Sequence, residues 1–260
     1  MLDDECDDID GTAQYKLGCI GRHNVVIVCL PAGQIGRSSA TVVVGELRHK
    51  FPAVQIRLMV GIRGGVPKSD VDIRLGDVVI SQPQGPYGGV VQYDLGKTGF
   101  GGSCRSNLLN YLLLVPNHIL FDPSYSHVKG ATCDQCDKNM VIRRTQQESE
   151  EPFIHCGTIA SSNQVIKYGL WRDKLSSELG GILYFEIEAA GLMNALPSLI
   201  IQGICDYADS YKNKKWQPFA AAVAAACAKK ILSFVPAAWR STCPAINLTR
   251  DTTNDHMDTS

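Results

Sequence analysis

The stretch FEIEAAG at residues 185–191, followed by ICDYAD at residues 204–209, decides the fold of this chain. Each acidic cluster comes directly after a short apolar run. This order places carboxylates at the carboxyl ends of buried strands, where open α/β sheets hold their ligands. One carboxylate can bind a sugar diol while another exchanges a proton with a leaving group. Cleavage of an N-glycosidic bond requires these two roles.

Apolar runs alternate with helical patterns along most of the sequence. We predict strands at 23–30, 54–60, 76–81, 89–93, 154–160, 181–185 and 198–205. We predict helices at 38–50, 107–115, 164–178, 186–195 and 218–232. Repeated strand–helix units indicate an α/β fold, a mostly parallel sheet between two helix layers in a three-layer α/β/α sandwich.

Composition narrows the classes of partner. The 25 basic and 26 acidic residues nearly cancel, so there is no field to attract nucleic acid or an anionic membrane. No apolar run approaches the roughly 20 residues of a membrane-spanning helix. The N-terminus is acidic and lacks the features of a signal peptide. We therefore expect a cytoplasmic protein whose ten cysteines are mostly free thiols.

The domain boundaries follow from shifts in composition. Residues 1–14 are acidic and predicted to be disordered, and residues 15–235 form the α/β domain. Within it, 116–151 is polar and reads as a long irregular excursion. Residues 236–260 are rich in Thr, Asn and Asp, which is typical of a disordered tail.

Two glycine-rich segments each follow a predicted strand, at 33–37 and 61–65. Backbone N–H groups in such a turn can hold an anion or a polar ligand atom, and glycine lets a ligand approach the backbone. Neither pattern is specific, because strand–helix connections favour glycine in general. No G-x-G-x-x-G and no G-x-S-x-G pattern occurs, which argues against a dinucleotide oxidoreductase and an esterase.

One C-x-x-C pair, Cys133 and Cys136, lies in the polar excursion with His127 nearby. A zinc site needs four ligands, and an isolated pair supplies only two. The sequence favours free thiols over a structural metal, so no metal site is predicted.

The acidic residues have a purely structural alternative. Carboxylates in the first turn of a helix complement its dipole and need no other role. Glu186 and Glu188 are two residues apart and leave that turn in different directions, so one can pair internally while the other faces a ligand. Asp206 emerges at the end of an apolar strand, where a partly desolvated acid can donate a proton.

Seven segments of the chain together resemble the purine and uridine phosphorylase superfamily. They are VVIVCLPAGQIGRSSA, LMVGIRGGVP, DIRLGDVVIS, VVQYDLGK, GTIASSNQVIK, LYFEIEAAGLMN and GICDYADSYKNKKWQPFAAAVAAACAKKIL. The resemblance is to the type found at the N-terminus of fungal NACHT, ankyrin and TPR proteins. It spans roughly residues 15–235 in the expected order. It implies a twisted, partly barrel-like central sheet.

The resemblance also implies roles for individual residues. Asp206 matches the general acid that protonates the purine base, and Glu188 matches the carboxylate that binds the ribose hydroxyls. Glu186 would support it, and Ile187 would lie beneath the sugar. The remaining matches are Val165 and Ile166 against the base, Gly61, Gly64 and Gly65 near the sugar, and Gly33, Gly36, Arg37 and Arg63 as candidate anion-binding positions.

The implied substrate is a small purine nucleoside or nucleotide, cleaved by water or by phosphate. Phosphorylases of this superfamily commonly hold phosphate with an arginine two residues before the second glycine segment, and this chain has Met59 there. We therefore expect hydrolysis. No cofactor is expected, apart from phosphate as a co-substrate, and a homo-oligomer is expected by analogy alone.

Two departures from the family support an alternative. Only residues 1–14 precede Tyr15, too few for the family's first strand and its water-positioning acid, and Arg63 stands where relatives usually carry glycine. The alternative is a catalytically inactive nucleoside-binding or oligomerising module.

Overall fold

The computed structural model describes residues 14–30, 36–83, 87–93, 104–107, 119–128, 133–145, 151–212 and 214–235. The predicted helix at 107–115, apart from Asn107, the glycine Gly33 and the tail at 236–260 lie outside these residues.

Ten strands and four α-helices are assigned within the described residues. The strands are β1 (Gln14–Ile20), β2 (His23–Cys29), β3 (Leu58–Gly65), β4 (Val78–Ser81), β5 (Val90–Gln92), β6 (Cys104–Asn107), β7 (Phe153–Gly157), β8 (Ile159–Ser161), β9 (Tyr184–Glu186) and β10 (Leu199–Asp206). The helices are α1 (Arg37–Lys50), α2 (Gly169–Glu178), α3 (Ala189–Ala195) and α4 (Gln217–Phe234).

Eight strands form one mixed sheet in the order β5-β8-β9-β3-β10-β4-β7-β6. Four of its neighbouring pairs are parallel: β10 with β3, β4 with β7, β5 with β8, and β8 with β9. The single residue Thr158 separates β7 from β8 in the chain, although four strands lie between them in the sheet order. The sheet must therefore curl back on itself, which accounts for its partly barrel-like shape and confirms the predicted fold class.

The sheet is apolar on both faces, as a sheet between helix layers requires. Successive residues of one strand belong to different apolar clusters. Ile201 and Val78 pack with α4 through Val223 and Ala224. Ile200 and Val79 pack in a separate cluster that includes Ala189 at the start of α3. Alternation of side chains along a strand therefore fills two separate cores.

The first two strands differ from the prediction. We expected one buried strand at 23–30, whereas β2 pairs with β1 in a separate antiparallel hairpin through the turn at Gly21. Gly21 has a φ of +59°, a conformation that glycine adopts without strain. Ile27 is 42% exposed, so the apolar run of β2 is only partly covered by the described residues.

The second glycine segment is also not the loop that we predicted. Residues 61–65 form the carboxyl half of β3, and the strand begins at Leu58 rather than at residue 54. The space around these glycines is closely filled by neighbouring side chains. A Cβ at Gly65 would lie 2.8 Å from a methyl carbon of Ile73, and one at Gly61 would lie 2.6 Å from the side-chain oxygen of Gln202.

Across the described ranges, none of the helices has the length and apolarity that a bilayer-spanning segment would need.

A substitution in β10 tests how closely this strand packs on α4. A Cβ at Gly203 would meet the backbone carbonyl group of Ala220, whose carbon would be 2.7 Å away. Because backbone cannot yield as a side chain can, Gly203→Ala should lower the free energy of unfolding by about 1–3 kcal/mol. Urea unfolding followed by circular dichroism measures this loss.

Gly45→Ala is the matched control, because Gly45 lies inside α1 with nothing within 4 Å of an added Cβ. It should stabilise the chain by about 0.5–1 kcal/mol through helix propensity. A Gly203→Ala variant as stable as the unmodified chain would contradict the close packing of β10 on α4.

Candidate active site

Glu188 and Asp206 line the same cavity, which has a volume of about 1620 Å³. It runs between the β1–β2 hairpin and the body of the domain, and it is largely apolar along its length. Five residues lie at one end of it, which we call the acidic end: Arg63, Val165, Glu188, Asp206 and Lys212. The two carboxylates that the sequence singled out therefore converge on one space.

Glu188 accepts hydrogen bonds from two distant parts of the chain. Its Oε1 accepts a hydrogen bond from Nη2 of Arg63 at 3.0 Å, which is also an ion pair. The same oxygen accepts from the backbone N–H of Gly36 at 3.4 Å. Gly36 has a φ of +90°, so the first glycine segment requires glycine here. Two of the four predicted anion-binding positions, Gly36 and Arg63, thus bind the protein's own carboxylate.

Glu186 faces inwards and caps α3. Its Oε2 accepts from the backbone N–H groups of Glu188 and Ala189 at 2.6 and 2.7 Å. Burial raises the pKa of Glu186 to about 7, although hydrogen bonds from Ser161 and from these two amides act to lower it. Glu186 therefore has the purely structural role of a carboxylate at the start of a helix. Glu188 is the carboxylate that faces the cavity.

Asp206 ends β10 and is paired with a lysine. Nζ of Lys212 lies 3.2 Å from both carboxylate oxygens, and Oδ1 also accepts from the backbone N–H of Ala208 at 2.9 Å. Ala208 has a φ of +52°, which costs a non-glycine residue about 1–2 kcal/mol. The strained turn points the Asp206 carboxylate back towards β3.

Buried polar contacts hold the acid loop, residues 206–212, in place. The guanidinium of Arg172 is buried and donates to the carbonyl oxygen of Tyr207 at 2.8 Å. Arg144 donates to the Tyr207 hydroxyl at 2.8 Å. On the other side, a Cβ at Gly64 would lie 2.7 Å from Oδ1 of Asp206 and from Cβ of Ala208. The position of the acid therefore depends on a glycine in the neighbouring strand.

Most of the other predicted site residues line one of two cavities. Val165 and Gly61 line the main cavity, and Gly64, Ile166, Glu186 and Ile187 line a small adjoining one. Ile166 also packs into an apolar core cluster. Gly65 lines neither cavity, because it is enclosed by Ile73 and Ile204. Arg37 begins α1, and its stem contacts α3 at Gly191.

Sequence reasoning missed Lys212 and the buried pair of Tyr184 and Gln202. The hydroxyl of Tyr184 donates to Oε1 of Gln202 at 3.2 Å, and Gln202 lines the cavity. A polar residue in the middle of the apolar strand at 198–205 was the available signal for Gln202. For Lys212 no pattern stands out, since lysines in loops are usually solvated.

The chain is similar in sequence to a nucleotide-binding leucine-rich repeat (NLR)-like protein of Hyaloscypha variabilis, with 38% identity over 87% of this chain. The chain spans about a quarter (26%) of the length of that relative. No family model matches the chain.

Solved structures share the fold. A 5′-methylthioadenosine/S-adenosylhomocysteine nucleosidase from S. pneumoniae, bound to a transition-state inhibitor, matches over 90% of both chains with a TM-score of 0.54 and 22% identity. Futalosine hydrolase of Helicobacter pylori matches over 89% of both chains, with a TM-score of 0.54 and 17% identity. These likenesses confirm a nucleoside phosphorylase-like α/β fold.

The raised pKa of Glu186 predicts a pH dependence of stability. A carboxyl group with a pKa of about 7 in the folded chain and an ordinary 4.5 in the unfolded chain binds more protons when folded. Its stabilising contribution is complete below pH 4.5 and is lost as the pH rises through about 7. Glu186→Gln should therefore flatten the unfolding free energy between about pH 5 and pH 8 by on the order of 1–3 kcal/mol.

Urea titrations of both proteins across this pH range measure the effect. Glu178→Gln, which changes an exposed carboxylate on α2, is the control and should leave the slope unchanged. Equal slopes for Glu186→Gln and the unmodified chain would show that this carboxyl group does not titrate near neutral pH.

Proposed function

We propose that this nucleoside phosphorylase-like chain cleaves the N-glycosidic bond of purine nucleosides or nucleotides at the acidic end of its cavity. The observation that carries the proposal is the convergence of Glu188 and Asp206 on one cavity, each beside its own cation. Bond cleavage needs separate groups for sugar and base, and these carboxylates come from different elements.

Asp206 would protonate the base. Protonation turns the purine into a better leaving group while the glycosidic bond stretches. Lys212, with its ammonium 3.2 Å from both Asp206 oxygens, would stabilise the carboxylate that remains after the proton has moved. The attacking water loses a proton as it becomes the sugar hydroxyl, and this proton restores the acid form of Asp206 for the next turnover.

Glu188 would bind the ribose hydroxyls. As positive charge develops on the sugar, hydrogen bonds to this carboxylate strengthen, which lowers the barrier more than it tightens binding. In the structure, Arg63 already donates a hydrogen bond to Oε1 of Glu188. A nucleoside must therefore take over part of this ion pair, and Arg63 is then released towards the cavity.

Water is the favoured nucleophile. Met59 lines the cavity two residues before Gly61 and offers no positive charge for phosphate. The Gly36 amide and the Arg63 guanidinium already bind Glu188. The two similar structures named above are a nucleosidase and a hydrolase, which agrees with hydrolysis.

A second candidate is a nucleoside-binding module without catalysis. The Arg63–Glu188 ion pair favours it, since it blocks the carboxylate that would hold the sugar. The NLR-like relative also favours it, because that protein's name describes nucleotide binding and no enzyme activity. Calorimetric binding of a nucleoside without any release of free base would support this candidate over the first.

Asp206→Asn tests the enzyme. The substitution keeps the shape and an acceptor for the Ala208 amide but removes the transferable proton. Release of free base should fall by about 10²–10⁴-fold. The assay is chromatography of products from adenosine-type nucleosides and nucleotides, run with and without phosphate.

The matched control is Asp70→Asn, which changes an exposed carboxylate. It should leave turnover unchanged. A dependence on phosphate would replace hydrolysis by phosphorolysis, and undiminished turnover by Asp206→Asn would remove Asp206 from the mechanism.

Arg63→Gly tests the competition for Glu188. Removing a partly exposed ion pair worth about 1 kcal/mol should lower the Kd for a nucleoside by roughly fivefold. Arg63→Lys, which keeps the positive charge, is the control and should stay near the unmodified chain. Calorimetry with a nucleoside measures both variants. A weaker complex with Arg63→Gly would mean that Arg63 binds the ligand instead of competing with it.

A further inference from the structure

Three metal-ligating side chains meet in the irregular excursion, where the fold brings His127 to the C-x-x-C pair. The imidazole of His127 and the thiol sulfurs of Cys133 and Cys136 offer ligand atoms that all lie within 4.8 Å of one another. Ligand atoms around one tetrahedral zinc ion are about 3.5–3.8 Å apart, given bonds of about 2.0–2.3 Å. Shifts of about 1 Å would bring all three into contact with an ion.

The local backbone is built for such a site. The C-x-x-C segment forms a closed turn in which the N–H of Cys136 donates to the carbonyl oxygen of Cys133 at 3.2 Å. The ammonium of Lys138 donates to the same carbonyl oxygen at 2.7 Å. Cys136 is buried, while Cys133 and His127 are half-buried. Two residues thus enter from a tight turn, and the third comes from the facing segment.

The facing segment is itself held in register. Residues Phe121 and Val141 form an antiparallel bridge, and the hydroxyl of Tyr125 accepts from the N–H of Asp137 at 2.9 Å. The ring of Tyr211 stacks on Phe121 at 4.3 Å and meets the imidazole of His127 edge-on at 5.3 Å. Packing therefore positions His127 before any ion arrives.

The donor set selects the metal. Two thiolates and a neutral imidazole balance the charge of a divalent cation, and this combination suits zinc, which binds Cys and His in tetrahedral geometry. We propose that His127, Cys133 and Cys136 bind one Zn²⁺ ion, with solvent as the fourth ligand. The proposal departs from the free thiols that the sequence favoured, because the fold supplies a third ligand.

The ion would clamp the excursion onto the acid loop. The backbone N–H of His127 donates to Oγ of Ser210 at 2.9 Å, and Tyr211 follows directly. The acid loop also carries Asp206 and Lys212. A bound ion would thus connect the C-x-x-C turn to the loop that holds the proposed acid, although the zinc proposal stands without the glycosidase.

Metal content of the purified full chain is the first test. After exhaustive dialysis against metal-free buffer, plasma mass spectrometry should find about one zinc per chain. Cys133→Ser, Cys136→Ser and His127→Ala should each lose most of it, since removing one of three ligands weakens binding by at least 10–100-fold, the range known for outer-shell changes. Cys29→Ser and His49→Ala, which alter exposed residues elsewhere, should retain it.

Cobalt substitution provides a readout that does not depend on the folding of variants. The zinc-free chain with Co²⁺ should develop a thiolate-to-cobalt charge-transfer band in the near ultraviolet and intense tetrahedral bands in the visible. Removing zinc by chelation should also lower the thermal midpoint of unfolding by several degrees, because ligand binding to the folded chain stabilises it.

Three results would overturn the proposal. The first is less than about a tenth of an equivalent of zinc with no thiolate-to-cobalt band. The second is a disulfide between Cys133 and Cys136 in the freshly purified chain. The third is full zinc retention by the Cys133→Ser variant. An unchanged midpoint after chelation would overturn the clamping role.

Discussion

The close approach of β3 and β10 is the constraint on which the rest of the structure depends. These parallel strands carry Arg63 and Asp206, and both cores of the sheet form around them. Gly64 and Gly65 permit this approach, because they present no side chains towards Asp206, Ala208 and Ile204. A larger residue at Gly64 or Gly65 would push away the strand that ends in the acid. The close packing of these two strands therefore also fixes the geometry of the site.

Paired charges then organise the acidic end. Arg63 with Glu188 and Lys212 with Asp206 place two cations and two anions at one end of the cavity. Partly buried charges are costly unless they are paired, so each carboxylate keeps a partner when no ligand is bound. The hydroxyls of a substrate can take over part of the Arg63 contact with Glu188, while Lys212 keeps its pairing with Asp206.

The sequence predicted the sheet and most helices because their signals are local. Apolar runs, and acidic residues in the first turn of a helix, can be recognised within about ten residues of sequence. Glu188 and Asp206 could be singled out because they follow such apolar runs. Other features depend on contacts between distant residues. The glycines at 61–65 were read as a ligand loop, whereas Gly65 serves only the packing of β10, and no local pattern separates these uses.

The hairpin of β1 and β2 escaped prediction because a run such as HNVVIVCL fits a buried strand and an edge hairpin equally well. Lys212 and His127 were missed or set aside for the same reason. The partner of each is six or more residues away, and only the folded chain brings them together. Neither composition nor periodicity predicts which side chains the folded chain brings into contact.

The capping of α3 by Glu186 has a consequence for dissolved anions. The amides at the start of this helix and the amide of Gly36 are already occupied by carboxylates of the same chain. A tethered competitor acts at an effective concentration that is commonly in the millimolar range or above. Free phosphate would have to exceed this effective concentration to displace the carboxylates from the backbone amides. A neutral diol binds the carboxylate of Glu188 and does not compete for the amides.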